Sequence, residues 1–182
     1  MKRSIVLLMM ICGVFSTSFA QRYMTRTGKV SFYSATSLEK IEAVNNQVAS
    51  VVDAKSGDVI FQVPVKSFKF DRSLMEEHFN ENYMESDKYP KSDFKGKISD
   101  IGNVNFSKDG SYKVTAIGKM TMHGVTRDVN IPGTIEVKGK MIVLNAVFKV
   151  VPGDYNIKIP NLVKDKIAKE IEVTVKSELN QQ

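Results

Sequence analysis

The 182-residue sequence predicts a mainly β domain, an antiparallel barrel or sandwich of about eight strands with one amphipathic helix inserted. Three observations lead there. Apolar and polar residues alternate in successive short segments, tight-turn residues join several of them, and one stretch switches to helical spacing.

The elements follow in chain order. Val30 with Phe32, and Val48 with Val52, mark two weakly patterned strands. Val59, Phe61, Val63 and Val65 mark a third. After Pro64 the apolar phase moves to Phe68 and Phe70, which predicts a bulge or strand end, because proline cannot donate to a sheet ladder. Ser73 with Glu76 fits a capping box, and Leu74, Met75, His78, Phe79 and Met84 recur at helical spacing, so the helix is expected over 73–84. Tyr89-Pro90 returns the backbone to an extended form, and Phe94, Gly96 and Ile98 supply the next strand.

From Tyr112 to Met122 the pattern is clearest. Tyr112, Val114, Ala116, Gly118, Met120 and Met122 alternate with Lys113, Thr115, Ile117, Lys119 and Thr121, as on a strand with one buried face. Val129, Ile131, Ile135 and Val137 repeat it, as do Ile142, Leu144, Ala146, Phe148 and Val150, and finally Ile171, Val173 and Val175. Lys108-Asp109-Gly110 and Lys138-Gly139-Lys140 read as hairpin turns, and Lys164 to Lys169 as a turn of helix before the last strand. Connections this short favour antiparallel pairing over alternating β and α units.

The first twenty residues read as an export signal. Lys2 and Arg3 precede an apolar run from Ile5 to Phe15, and Ser18 and Ala20 are small at the positions a signal peptidase reads. The run is shorter than the roughly 20 residues a transmembrane helix needs. Cleavage is expected between Ala20 and Gln21, leaving 21–182 as one domain. Removing 1–20 takes away the single cysteine, Cys12, so no disulfide or thiol chemistry remains. The formal charge falls from +6 to +4 with the loss of Lys2 and Arg3. The remaining lysines are spread along the chain at alternating positions, as on a solvated sheet face, and do not point to nucleic acid.

Residues able to carry chemistry are few. The two histidines, His78 and His123, sit in no metal-ligand spacing, and no nucleophile elbow or glycine-rich phosphate loop occurs. Glu76 and Glu77 face outward by helical period. No catalytic residue, metal or cofactor is expected, and the histidines read as structural: His123 bonding the backbone of its turn, His78 anchoring the helix. A hydrolase or isomerase pairing His123 with a carboxylate such as Asp128 stands as the enzymatic alternative. The inward-phased small residues Gly96, Ala116, Gly118 and Ala146 carry two readings. They leave room for a ligand, or they accommodate large neighbours such as Phe148 and Tyr112 in a filled barrel.

Two motifs carry a family resemblance. Met75-Glu76-Glu77-His78-Phe79, followed by Tyr83-Met84, Lys88-Tyr89-Pro90 and Phe94, resembles the helix-and-return stretch of the YceI-like family. Met120-Thr121-Met122-His123-Gly124-Val125-Thr126-Arg127 resembles that family's apolar-Thr-apolar-His-Gly-Val-Thr-basic hairpin. The resemblance covers roughly Val48 to Val175, while Thr36 to Asn46 lacks the glycine-and-phenylalanine strand of the family. It implies an extended lipocalin-like antiparallel β-barrel in the periplasm, without catalytic activity, whose apolar tunnel takes a polyisoprenoid or similar lipid. The cavity lining expected on this basis is Phe61, Phe79, Phe94, Gly96, Tyr112, Val114, Ala116, Gly118, Met120, His123, Ile131, Leu144, Ala146 and Phe148. Transient contact with a membrane surface and homodimerisation remain open, and a filled barrel acting as an interaction module is the alternative to a carrier.

Overall fold

The computed structural model describes residues 21–182, so the expected export signal lies outside the described residues. Nine strands form: β1 Arg22–Ala35, β2 Lys40–Asp53, β3 Asp58–Pro64, β4 Lys69–Phe70, β5 Lys91–Ile98, β6 Gly110–Met122, β7 Val125–Lys138, β8 Met141–Val150 and β9 Ile171–Gln181. They pair in the order β1-β9-β8-β7-β6-β5-β3-β2, and a further β1–β2 pairing closes the sheet into an eight-stranded barrel. The two-residue β4 is an appendage on β2. Every ladder is antiparallel, and closure removes the free edges that an open sheet would present.

The weak patterning at the start of the chain has a structural cause. β1 and β2 are 14 residues each, as long as any strand in the barrel. Their mutual register slips between Thr25 and Gly28 and again between Gly28 and Val30. Tyr23 is buried at an odd position, Gly28 and Val30 at even ones. On β2 the buried set likewise moves from Ala43 and Asn45 to Val48, Ser50 and Val52. A bulge inverts the phase of every later side chain, so a search for strict alternation reads two short strands where two long ones exist. The stretch Thr36 to Asn46 supplies the β1–β2 turn and the first half of β2.

Four other expectations are corrected. The helix α1 spans Ser73–His78 and continues through a π turn over Phe79–Tyr83; Arg72 occupies the cap position and no side chain caps it. Ser73 is already helical, and Glu76 accepts from Lys69 Nζ at 2.5 Å instead of closing a box. The Asp109-Gly110 pair does not join a tight hairpin, because β5 and β6 are separated by residues 99–109 with a 3-10 turn at Ile101–Asn103. Asp109 Oδ1 accepts the Gly139 N–H at 2.8 Å, so the two turn signals meet at one barrel end. Two-residue loops close the β7–β8 hairpin at Gly139-Lys140, as expected, and the β6–β7 hairpin at His123-Gly124, whose φ values of 50° and 74° are the left-handed pair that a twisted hairpin favours. Residues 164–169 contain turns but no helix.

The barrel has a solid end and a hollow end. Tyr23, Val52, Ile135, Ile142 and Leu179 are fully buried, and all lie near the end formed by the 54–57, 99–109 and 139–140 connections. Tyr23 stacks on Phe106 at 5.5 Å, and Val104 and Ile98 complete the plug. At the opposite end the inward side chains Phe61, Val114, Ala116, Ile131, Ala146, Phe148 and Val173 are only half-buried. Inward residues with accessible surface enclose empty space.

Candidate functional site: an apolar cavity open at one end

That space is a cavity of about 550 Å³, within the usual range for small-molecule sites. Its walls come from the inward faces of the strands, and its depth is set by Val59 and Ile98 near the solid end. The mouth is built by three segments that follow strand ends: the 36–39 turn, the 71–84 segment with α1, and the long connection from Pro152 to Ile167. Polar side chains lining the cavity include Ser34, Glu39, Arg72, His78, Ser92, Asp93 and Lys166, most of them from these segments or adjoining strand ends. Arg72 pairs with Glu39 across the mouth, joining α1 to the β1–β2 turn. Ser34 Oγ accepts the Ala168 N–H at 2.9 Å, which ties the 152–170 connection to the end of β1.

One wall is aromatic. Phe79 lies 5.4 Å from Phe32, 5.6 Å from Phe68 and 5.1 Å from Phe70, ring centre to ring centre. The phase shift after Pro64 now has its explanation. β3 ends at Pro64, the 3-10 turn Val65–Ser67 follows, and Phe68 and Phe70 are delivered to the helix rather than to a continuing strand. Tyr83 also lines the cavity, and burial pushes its phenol above the ordinary value, as expected where water is scarce.

Of the fourteen residues expected to line the cavity, ten do: Phe61, Phe79, Phe94, Val114, Ala116, Met120, Ile131, Leu144, Ala146 and Phe148. Tyr112 packs against the core at the solid end, and its hydroxyl donates to the carbonyls of Asn105 and Lys108 at 3.4 Å. Gly96 and Gly118 face each other across the β5–β6 ladder. A Cβ on Gly118 would stand 2.4 Å from Gly96 Cα and 2.4 Å from the Lys95 carbonyl oxygen. These glycines permit a close strand approach and leave no room for a ligand.

His123 lies outside the cavity. Its Nδ1 faces the Tyr155 carbonyl at 3.1 Å, its Nε2 faces Glu85 Oε2 at 2.7 Å, and its ring meets Tyr89 edge-on at 4.6 Å. The carbonyl it bonds is therefore not that of its own turn but that of a 3-10 turn at Pro152–Tyr155. The adjacent Gly124 is packed so closely on Tyr89 that a Cβ would stand 2.6 Å from its ring. The two sequence motifs thus meet in space, with Tyr89 of one clamping His123-Gly124 of the other. The clamp has a task. The β7–β8 ladder covers only Gly133 to Lys138, and the strands part beyond it. Arg127 Nε donates to the Asp154 carbonyl at 2.9 Å, so Arg127 and His123 together hold the 152–155 turn beside the gap.

The pairing of His123 with Asp128 does not form. Asp128 engages Lys119 at 2.8 Å, and the carboxylate beside His123 is Glu85. His78 is exposed on α1 at the mouth. Among the described residues no three His, Cys, Asp or Glu side chains cluster to hold a metal. No helix among them is long and apolar enough to cross a membrane.

Sequence reasoning missed a large part of the lining. Phe32, Phe68 and Phe70 were visible as apolar residues but not as inward ones. Ile157, Ile159, Val163 and Ile167 come from a connection without regular structure, where only their apolarity hinted at burial.

Comparison with known proteins places this architecture. BcnA of Burkholderia cenocepacia is 18% identical over 84% of this chain and 95% of its own, with a TM-score of 0.70. A polyisoprenoid-binding domain from Saccharophagus degradans, implicated in plant cell wall breakdown, is 10% identical over 88% and 98%, with a TM-score of 0.77. A Campylobacter jejuni YceI protein is 17% identical over 76% and 83%, with a TM-score of 0.61. At these identities the likeness is one of fold. No curated protein matches the sequence. The model of the YceI-like domain matches residues 16–179, nearly the whole length, and the chain belongs to the YceI-like family.

Proposed function

We propose that the protein is an exported carrier that sequesters one long apolar ligand, a polyisoprenoid or similar lipid, in its barrel and catalyses no reaction. The observation that carries this reading is the hollow half of the barrel, lined mainly by apolar side chains, with polar residues gathered at its mouth. Such a site rewards chain length, since each buried methylene contributes about 0.8 kcal/mol, or roughly fourfold in affinity. The polyisoprenoid-binding domain that shares the fold supports the ligand class. Residues 1–20, cleaved after Ala20, would deliver the mature domain to the periplasm.

The test is rebinding. Protein recovered from the periplasmic fraction is stripped of lipid and titrated with prenols of increasing length. Saturable one-to-one binding that tightens with length and then levels off is the expected result. Absence of saturable binding at any length would refute the carrier, as would tightest binding by a small polar molecule.

A further inference from the structure

The mouth carries large apolar side chains that are exposed to solvent. Leu162 is 93% exposed and Leu38 is 66% exposed, while Leu74, which lines the cavity edge, is 58% exposed. They come from the three segments that frame the opening: Leu38 from the β1–β2 turn, Leu74 from α1, Leu162 from the connection before β9. The Arg72–Glu39 pair and the Ala168–Ser34 hydrogen bond tie these segments to one another. The leucines are therefore held around one rim and are not independent loop tips.

The connection bearing Leu162 is also basic. Within 156–169, Lys158, Lys164, Lys166 and Lys169 are exposed and are offset by a single acid, Asp165. None of the four lysines forms an ion pair among the described residues. The apolar residues of the same segment, Ile157, Ile159, Val163 and Ile167, turn inward, so Leu162 alone projects. An apolar tip set among unpaired lysines matches an interface whose outer layer is anionic and whose interior is hydrocarbon. The α1 side of the rim is acidic, with Glu77 and Glu81 exposed, so the 156–169 side must lead.

We propose that the rim is a docking surface for an anionic lipid bilayer, with Leu162 inserting below the headgroups and the neighbouring lysines contacting them. The mouth then faces the bilayer, and an apolar ligand passes between membrane and cavity without crossing water. This second statement rests on the carrier reading; the docking does not.

The chain contains no tryptophan, so one introduced residue reports alone. Leu162→Trp and, as a control at the solid end, Lys140→Trp are mixed with vesicles of equal parts phosphatidylglycerol and phosphatidylcholine. The expected result is a blue shift and protection from aqueous quencher for Leu162→Trp only, absent with pure phosphatidylcholine. Lys164→Gln with Lys169→Gln should weaken vesicle binding on the order of 30-fold, about fivefold per lysine, without changing the urea midpoint. No shift at position 162 on vesicles would overturn the proposal. So would a shift that rises with protein concentration in the absence of vesicles, which would assign the rim to a second copy of the chain. Ligand retention is measured on the same preparations before vesicles are added. A docked protein with an empty cavity refutes the carrier and not the docking; a filled cavity with no insertion does the reverse.

Discussion

Ala116 and Gly118 are successive inward positions on β6, and added bulk should act on them in opposite ways. At Gly118 a methyl group meets backbone, with Gly96 Cα and the Lys95 carbonyl oxygen both at 2.4 Å. Neither is a side chain that can swing aside, so β5 and β6 must separate and weaken their ladder. Overpacking of this kind costs about 1–3 kcal/mol. Relief of glycine's conformational freedom returns about 0.5–1 kcal/mol. Gly118→Ala should therefore destabilise by about 1–2 kcal/mol, a fall of roughly 2–8 °C in a domain of this size. At Ala116 a phenyl ring enters the cavity and displaces nothing when the protein is lipid-free. Ala116→Phe should keep stability within about 1 kcal/mol of the parent while denying the ligand space. Exclusion of some three methylenes at ~0.8 kcal/mol each weakens binding about 60-fold. The assays are a urea midpoint on stripped protein and the lipid retained after purification. If Ala116→Phe destabilised as much as Gly118→Ala and left lipid retention unchanged, the interior at that level would be packed and the reasoning refuted.

Three further outcomes follow from single contacts. His123→Ala removes the clamp on Glu85 and Tyr155 and places alanine at φ 50°, so a loss of about 2–3 kcal/mol is expected in urea unfolding; a neutral result would show that the clamp is idle. Asp53 accepts the N–H groups of Lys55 and Ser56 at 2.9 Å, and these bonds, that to Ser56 foremost, hold its carboxyl below the usual carboxylate range. A lowered folded-state value stabilises fully above the unfolded value of about 3.9 and is lost as pH falls through the folded one. Asp53→Ala should thus cost about 1–2 kcal/mol at pH 7, with the gap to the parent closing below about pH 4, and a gap independent of pH would contradict this. Phe79→Ala removes a ring in contact with Phe32, Phe68 and Phe70, and should lower both stability, by about 2 kcal/mol, and ligand affinity; calorimetry and titration read the two effects separately.

How much of this was legible depended on the kind of signal. β6 was plain because it runs thirteen residues with one face inward. β1 and β2 were faint because their bulges invert the phase midway. The amphipathic stretch was recognised at Leu74 to Met84, but the break into a π turn at Phe79 leaves no mark that hydrophobic spacing can show. Within the cavity, strand residues such as Val114 and Leu144 were found because alternation fixes the side they face. Gly96 and Gly118 obeyed the same alternation for a different reason, since a missing side chain signals equally an open space and a backbone pressed close. His123 was singled out by its motif and assigned to the cavity, yet its partners Glu85, Tyr89 and Tyr155 are 38, 34 and 32 residues away, a convergence that only the closed barrel creates.

Native mass spectrometry of the mature protein, purified without detergent, tests the carrier most directly. The expected spectrum shows the mass of residues 21–182 together with one copy of an apolar molecule, lost on activation in the gas phase and depleted in Ala116→Phe but not in a surface variant such as Lys113→Gln. A bare polypeptide in every preparation, unchanged after incubation with long prenols, would contradict it.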